Sequence, residues 1–170
     1  MNQVILRTFT EEEYHDFFRK YVSDPLMDPT PFVYSREKVS RSYAYNHGGF
    51  RKDYVHLGIF LGEVPVGSFQ LKRIDPEKST CEFGIILQND AVKNKGYGTE
   101  AILQGMAYAH SVCGIQTIFG DTMGRNKRMI RVFEKLGFRQ IEIIPDAFKL
   151  ADGEKEDRII FCKDLTEVAK

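Results

Sequence analysis

Nine residues, Lys93-Asn94-Lys95-Gly96-Tyr97-Gly98-Thr99-Glu100-Ala101, bring together the types needed to hold a phosphate. Two glycines one residue apart give the backbone conformations closed to other residues, so successive N–H groups can turn toward one point. A helical pattern follows (Ile102, Gly105, Met106, Ala109). The start of a helix carries unpaired N–H donors and a partial positive charge. Lys93 and Lys95 add mobile cationic charge beside it, while Glu100 falls in the first turn, where an acid suits the dipole. The chemistry predicted is a cradle for a phosphate or diphosphate. Two carboxylates stand near it in the pattern. Glu82 sits within the apolar run Cys81 to Leu87, where an acid is costly unless paired or functional. Asp121 closes a second strand-like run, Ile115 to Gly120.

The glycine spacing admits other ligands and none. Gly96-x-Gly98-x-x-Ala101 fits a dinucleotide fingerprint, with Asp121 at about the spacing of a ribose-binding acid. That fingerprint needs its strand to run straight into the first glycine, and here the polar stretch Gln88 to Lys95 intervenes. No Gly-Lys-Ser/Thr follows, so the Walker pattern is absent. A tight loop with no ligand is the structural alternative.

The elements that must position these residues follow from patterning. At 170 residues the chain suits one domain, 1–170, with a substantial core. Lys+Arg and Asp+Glu are 24 each, which argues for neither nucleic acid nor an anionic membrane as partner. No apolar run approaches spanning length and no signal segment opens the chain, so the expected location is cytoplasmic. Three scattered cysteines, Cys81, Cys113 and Cys162, read as buried free thiols, with no metal role. Val4-Ile5-Leu6 predicts a strand. Thr10-x-x-Glu13 is a capping box for a helix carrying Tyr14, Phe17, Phe18 and Tyr21. Three prolines in 25–31 break it, and Ser35 can cap a second helix through about Tyr45, ended by His47-Gly48-Gly49. Alternation from Tyr54 predicts a hairpin turning at Gly62-Glu63, then a third strand, Thr80 to Gln88. Beyond the cradle helix come a strand over 115–119 and a polar turn over 121–126. A helix with Met129, Val132, Phe133 and Leu136 on one face then ends at Gly137. Strands over 138–144 and 157–163 close the sheet, and 165–170 reads as a frayed tail. The fold class is α/β (α+β): a mixed, mostly antiparallel sheet of about seven strands with about four helices.

Two motifs in this order resemble a known family. Lys93-x-x-Gly96-x-Gly98 is similar to the Gln/Arg-x-x-Gly-x-Gly/Ala loop of the GCN5-related N-acetyltransferases, with lysine for the usual Gln or Arg. Asn126-x-x-Met129-x-x-x-Phe133-x-x-x-Gly137-Phe138 resembles the family's second motif. The match covers about residues 54–163, and Cys81-Glu82-Phe83-Gly84-Ile85 looks most like the ribosomal-protein-alanine acetyltransferase branch. The resemblance implies acetyl-CoA as cosubstrate and a primary amine, on a small molecule or a peptide N-terminus, as acceptor. It places residues 1–53 on the acceptor side and implies a monomer or homodimer. N–H donors of Lys95, Gly96, Tyr97, Gly98 and Thr99 would hold the pyrophosphate, with Lys93 beside it. Backbone groups of Ile86, Leu87 and Gln88 would meet the pantetheine amides and the thioester oxygen, and Asn126 would touch the CoA arm. Phe133 occupies the position where many relatives carry a proton-donating tyrosine. A non-catalytic acyl-CoA-binding module of the same fold would fit that change. Glu82 is the first candidate for general base and Asp121 the second, ahead of Tyr97, His56 and His47. The aromatics Phe32, Tyr34, Tyr43, Tyr45 and Phe50 could line an acceptor cleft or simply pack helix on sheet.

Overall fold

The computed structural model describes residues 3–166. In chain order the elements are β1 (Val4–Arg7), α1 (Glu11–Arg19), α2 (Arg36–His47), β2 (Val55–Leu61), β3 (Val64–Asp75), β4 (Thr80–Leu87), a 3-10 turn (Asp90–Val92), α3 (Tyr97–Ser111), β5 (Thr117–Met123), α4 (Lys127–Lys135), β6 (Arg139–Lys149) and β7 (Lys155–Asp164). Local chemistry sets the helix starts. Thr10 Oγ1 accepts from Glu13 N–H at 3.2 Å and Glu13 Oε2 accepts from Thr10 N–H at 3.4 Å, the reciprocal pair of a capping box. Ser35 and Asn126 cap α2 and α4 one-way, accepting from Lys38 and Met129 N–H. At α3 the capping residue is Gly96, at φ +83, a left-handed conformation that glycine adopts without penalty.

The seven strands form one sheet in the order β1-β2-β3-β4-β5-β7-β6. Every neighbouring pair is antiparallel except β4 and β5, which α3 connects. Alternation then assigns side chains to the two faces. Phe69, Leu71, Phe83, Ile85 and Leu87 pack under α3 and α4, with Ala101, Ile102, Met106, Ala109 and Phe133. Ile86 and Phe60 lie in the second cluster, with Phe9, Tyr14, Phe17 and Val39 of the α1–α2 side. Each large side chain fully buried in these clusters contributes about 1.5–3 kcal/mol relative to exposure.

Several boundaries run further than the pattern predicts. β5 continues through Asp121 to Met123, so the turn begins at Gly124 rather than at Asp121. Seven ladder partners on β7 extend it, which outweighs the polar residues 121–122. β6 and β7 likewise lengthen each other, to Lys149 and from Lys155. The expected frayed tail is corrected at its start: Leu165 is buried and its N–H bonds to Gln116 O at 2.7 Å, while 167–170 lie outside the described residues. The cysteines are free, with Cys81 and Cys162 buried. Burial pushes the Cys81 thiol up to about 12, which makes it unreactive near neutral pH. Among the described residues no helix is long and apolar enough to cross a membrane.

Candidate active site

The site opens where two strands part. β4 and β5 are in register only from Thr80–Thr117 to Glu82–Phe119, yet both continue, to Leu87 and Met123. Ladder bonding in an antiparallel pair alternates residue by residue. Gln88 N–H bonds to Val66 O at 2.8 Å, and the register of β3 and β4 keeps step from there to Lys72–Glu82. Backbone groups of Glu82, Gly84, Ile86 and Gln88 therefore face β3, and those of Ile85 and Leu87 face the open fork. This revises the expected pantetheine contacts. The backbone groups of Leu87 face the fork as expected and those of Ile85 join them, whereas those of Ile86 and Gln88 face β3. Gln88 is further engaged, since its O accepts from Val22 N–H at 2.8 Å and its side-chain amide donates to Phe17 O at 3.1 Å. The signal was available in the strand's parity but needed a register to fix it.

At the mouth of the fork lies the first turn of α3. Glu100 N–H bonds to Gly96 O at 3.0 Å. The N–H groups of Lys95, Gly96, Tyr97, Gly98 and Thr99 have no partner among the described residues, and no side chain caps the helix. Gly96, Tyr97, Gly98 and Thr99 border a cleft of about 480 Å³ that continues along Ile85, Ile86 and Leu87. Lys93 also borders it, with Nζ 3.2 Å from Asp90 Oδ1 and 3.7 Å from Asp24 Oδ2. The Lys95 side chain is exposed and borders no part of the cleft. The opposite wall comes from α4, where Arg128, Arg131 and Lys135 stand at helical spacing beside Met129 and Val132. These three cations were passed over in the sequence. Their i, i+3, i+7 spacing was the signal, masked by the apolar pattern on the same helix. Asn126 borders the cleft while its Oδ1 caps α4, so the capping and cleft positions coincide.

Phe133 is a correction. It is 1% exposed, borders neither cleft, and stacks on Phe161 with centroids 4.3 Å apart and planes 9° apart. Its ring enters the notch left by Gly120, where a Cβ would stand 2.8 Å from Phe133 Cζ. The residue belongs to the core rather than to a cofactor contact.

A second pocket of about 280 Å³ lies beyond the fork and shares Met27, Ile85, Asn126 and Met129 with the first. Asp121 borders it, with Oδ2 accepting from Arg158 Nε at 2.7 Å. Glu82 borders neither pocket, and its Oε1 accepts from Arg73 at 2.9 Å. The fork thus brings the α3 turn, Asn126 and Asp121 into one connected space and leaves Glu82 at its edge. The aromatics proposed for an acceptor cleft are elsewhere. Phe32 packs on Phe18 and Tyr21, Tyr34 bonds to His15 at 2.8 Å, and Tyr43 donates to Phe9 O at 3.2 Å. Tyr45 and Phe50 are exposed. His47 and His56 are joined at 3.2 Å, with His56 bonded onward to Ser68. None of these five aromatics or two histidines borders the two pockets.

The dinucleotide alternative loses its footing on this geometry. β4 ends at Leu87, a 3-10 turn intervenes, and Asp121 sits within a strand held by Arg158. Comparison with known proteins points the same way. No curated protein matches the chain. Among solved structures, a spermidine N-acetyltransferase SpeG chimera from Vibrio cholerae and hSSAT is similar at 15% identity and a TM-score of 0.86, covering 99% of each chain. The dodecameric spermidine N-acetyltransferase of Vibrio cholerae is similar at 16% identity and 0.78, covering 99% of this chain and 97% of that one. Likenesses at this identity show the fold. The acetyltransferase (GNAT) domain matches residues 3–139, most of the chain and all of the cradle, fork and α4, and on that match the chain belongs to the GNAT acetyltransferase family.

Proposed function

We propose that the protein is an acetyl-CoA-dependent N-acetyltransferase that moves an acetyl group directly to a primary amine. The observation that carries this reading is one cleft bordered both by Gly96, Tyr97, Gly98 and Thr99, whose N–H donors have no partner among the described residues, and by a row of three cations on α4. Backbone donors at a helix start suit a diphosphate, and long cationic side chains suit its remaining phosphate charge. The apolar stretch of Ile85, Leu87, Met129 and Val132 suits the arm between phosphate and thioester.

Acetyl-CoA supplies an acetyl carbon activated as a thioester, to which the amine nitrogen bonds as the carbon–sulfur bond breaks. Ile85 and Leu87 offer N–H and C=O groups on the open side of β4, which orient the arm and can support negative charge on the thioester oxygen. Asp121 is proposed as the base, accepting the amine's proton at Oδ1 while Arg158 holds Oδ2. It takes precedence over Glu82 because it borders the pocket that opens into the fork. No tyrosine is needed on the leaving side, because a thiol is acidic enough to depart as thiolate and take its proton from water. Residues 1–53 are proposed to form the acceptor side, through Met27 and the loop around it. Small amines and peptide N-termini both remain acceptors, the first in keeping with the spermidine enzymes of similar fold, the second with the ribosomal-protein-alanine likeness around Glu82.

A phenylalanine at position 133, where many relatives carry a proton-donating tyrosine, favours one second reading, an acyl-CoA-binding module without turnover. Calorimetry with acetyl-CoA, CoA and NADH, followed by thiol release over a panel of amines and peptides, separates the two. Binding of acetyl-CoA with amine-dependent thiol release supports the enzyme, and binding with no release on any amine supports the module. Heat from NADH alone would overturn both.

A further inference from the structure

We propose that the acceptor carries an anionic group, a carboxylate near its reactive amine, and that Lys72 selects it. The inference rests on the acetyl-transfer reading above. The second pocket adjoins the cofactor cleft, sharing Met27, Ile85, Asn126 and Met129 with it, and so offers an amine a place beside the fork. Lys72 borders that pocket on the α1–α2 face of the sheet, its Nζ 3.6 Å from where a Cβ on Gly84 would stand. The charges around it leave it uncompensated. Its cross-strand neighbour Glu82 is held by Arg73 at 2.9 Å, and Asp121 by Arg158 at 2.7 Å. Among the described residues no carboxylate lies within 4.0 Å of Lys72. The pocket's lining carries two charged side chains, Lys72 and Asp121; Asp121 is paired by Arg158 from outside the lining, and Lys72 is not paired by any carboxylate among the described residues.

An acceptor filling the pocket, which Met27 and Phe148 also line, strips water from that ammonium. A cation losing its hydration is costly unless an anion replaces the water. A polyamine would instead set a second ammonium beside it, and like charges repel most strongly where water is excluded. A carboxylate-bearing amine resolves both demands, its carboxylate meeting Lys72 and its amine meeting the free Oδ1 of Asp121. Gly84 keeps the floor beneath Lys72 open, since no side chain rises between them. The chemistry is that of an amino acid, met either as a free molecule or as an acidic residue opening a peptide.

The test is thiol release from acetyl-CoA with matched acceptors: free amino acids, the same amino acids as C-terminal amides, peptides beginning with Asp or Glu, and spermidine. The wild-type protein should favour a carboxylate-bearing acceptor over its amide by about tenfold or more in kcat/KM, the scale of one charge-assisted contact. Lys72→Ala should erase that ratio mainly through KM, Lys72→Arg should keep it, and Lys72→Glu should turn preference toward spermidine. Preference among the carboxylates identifies the source, free amino acid or peptide. Equal use of an acid and its amide, a wild-type preference for spermidine, or an unchanged ratio in Lys72→Ala would overturn the inference. Acetyl-CoA binding without turnover of any carboxylate-bearing amine would overturn it too, leaving the cofactor assignment standing. Absence of acetyl-CoA binding in the wild-type protein would bring down the cofactor assignment itself and this inference with it.

Discussion

On the α3–α4 side of the fork the polar groups have no partner among the described residues: the backbone N–H donors of Gly96, Tyr97, Gly98 and Thr99 and three cationic side chains belong to residues that border a common cleft. On the α1–α2 side most polar side chains are already bonded to one another. His15 bridges Tyr34 and Ser40, Tyr14 meets Ser42, and His47 runs through His56 to Ser68. The first side can hold a charged ligand without rearranging, because its donors have no other bond to give up. The second is a structural layer, tied together by hydrogen bonds and aromatic contacts, that positions the loop carrying Met27. Cofactor binding should therefore be fragile to single changes on one side, and stability on the other.

The largest effect tests the free side. Gly98→Asp should weaken acetyl-CoA binding roughly a thousandfold, because a carboxylate about 4 Å from a phosphate costs about 4 kcal/mol at an intermediate dielectric. The fold should survive, since a Cβ there meets only Leu87 Cδ1 at 3.8 Å and Ile85 Cδ1 at 3.9 Å. Calorimetry and a melting curve read the two separately. Undiminished affinity would erase the contrast between the sides.

Next in size is the choice of base. Asp121→Asn should lower kcat by about 100-fold, the scale of a positioned general base, with little change in acetyl-CoA affinity. Glu82→Gln should change it by less than about threefold, since it removes one end of a partly exposed ion pair with Arg73. The reverse order in steady-state kinetics would hand the role back to Glu82.

A smaller effect is expected on α4. Arg131→Ala should raise the acetyl-CoA dissociation constant about tenfold, and the remaining affinity should fall less steeply with added salt. An unchanged salt slope would remove the row of cations from the site.

The last prediction belongs to the bonded side. Burial, then neighbouring His47 and Arg51, push His56 down to about 3, against about 6.5 for a free imidazole. The unfolded chain takes up that proton first as pH falls, so the stabilisation is complete above about pH 6.5 and is lost progressively toward pH 3. The slope reaches roughly 1.4 kcal/mol per pH unit. His56→Gln should flatten the fall in melting temperature between pH 6.5 and 4 without altering acetyl-CoA affinity. A mutant with the wild-type slope would move the pH sensitivity elsewhere.

Much of this was legible in the order of residues. The capping box at Thr10, the hairpin at Gly62-Glu63, the cradle from Gly96 to Thr99 and the helix ended by Gly137 are local, set by propensities and turns within a few residues. Composition and periodicity also carried the seven-stranded, mostly antiparallel sheet. What the chain could not announce was register. Which backbone groups of β4 face the fork depends on how β3 pairs with it, and a shift of one residue exchanges Ile85 and Leu87 for Ile86 and Gln88. Glu82 and Asp121 look alike as acids in apolar runs, and only packing separates one held by Arg73 at the edge from one opening into the pocket. Phe133 sits at the right place in its motif, yet Gly120 and Phe161, distant in sequence, draw its ring into the core. Local geometry is written in neighbouring residues, whereas the partner of a strand, a charge or a ring is chosen by long-range contacts that no short stretch encodes.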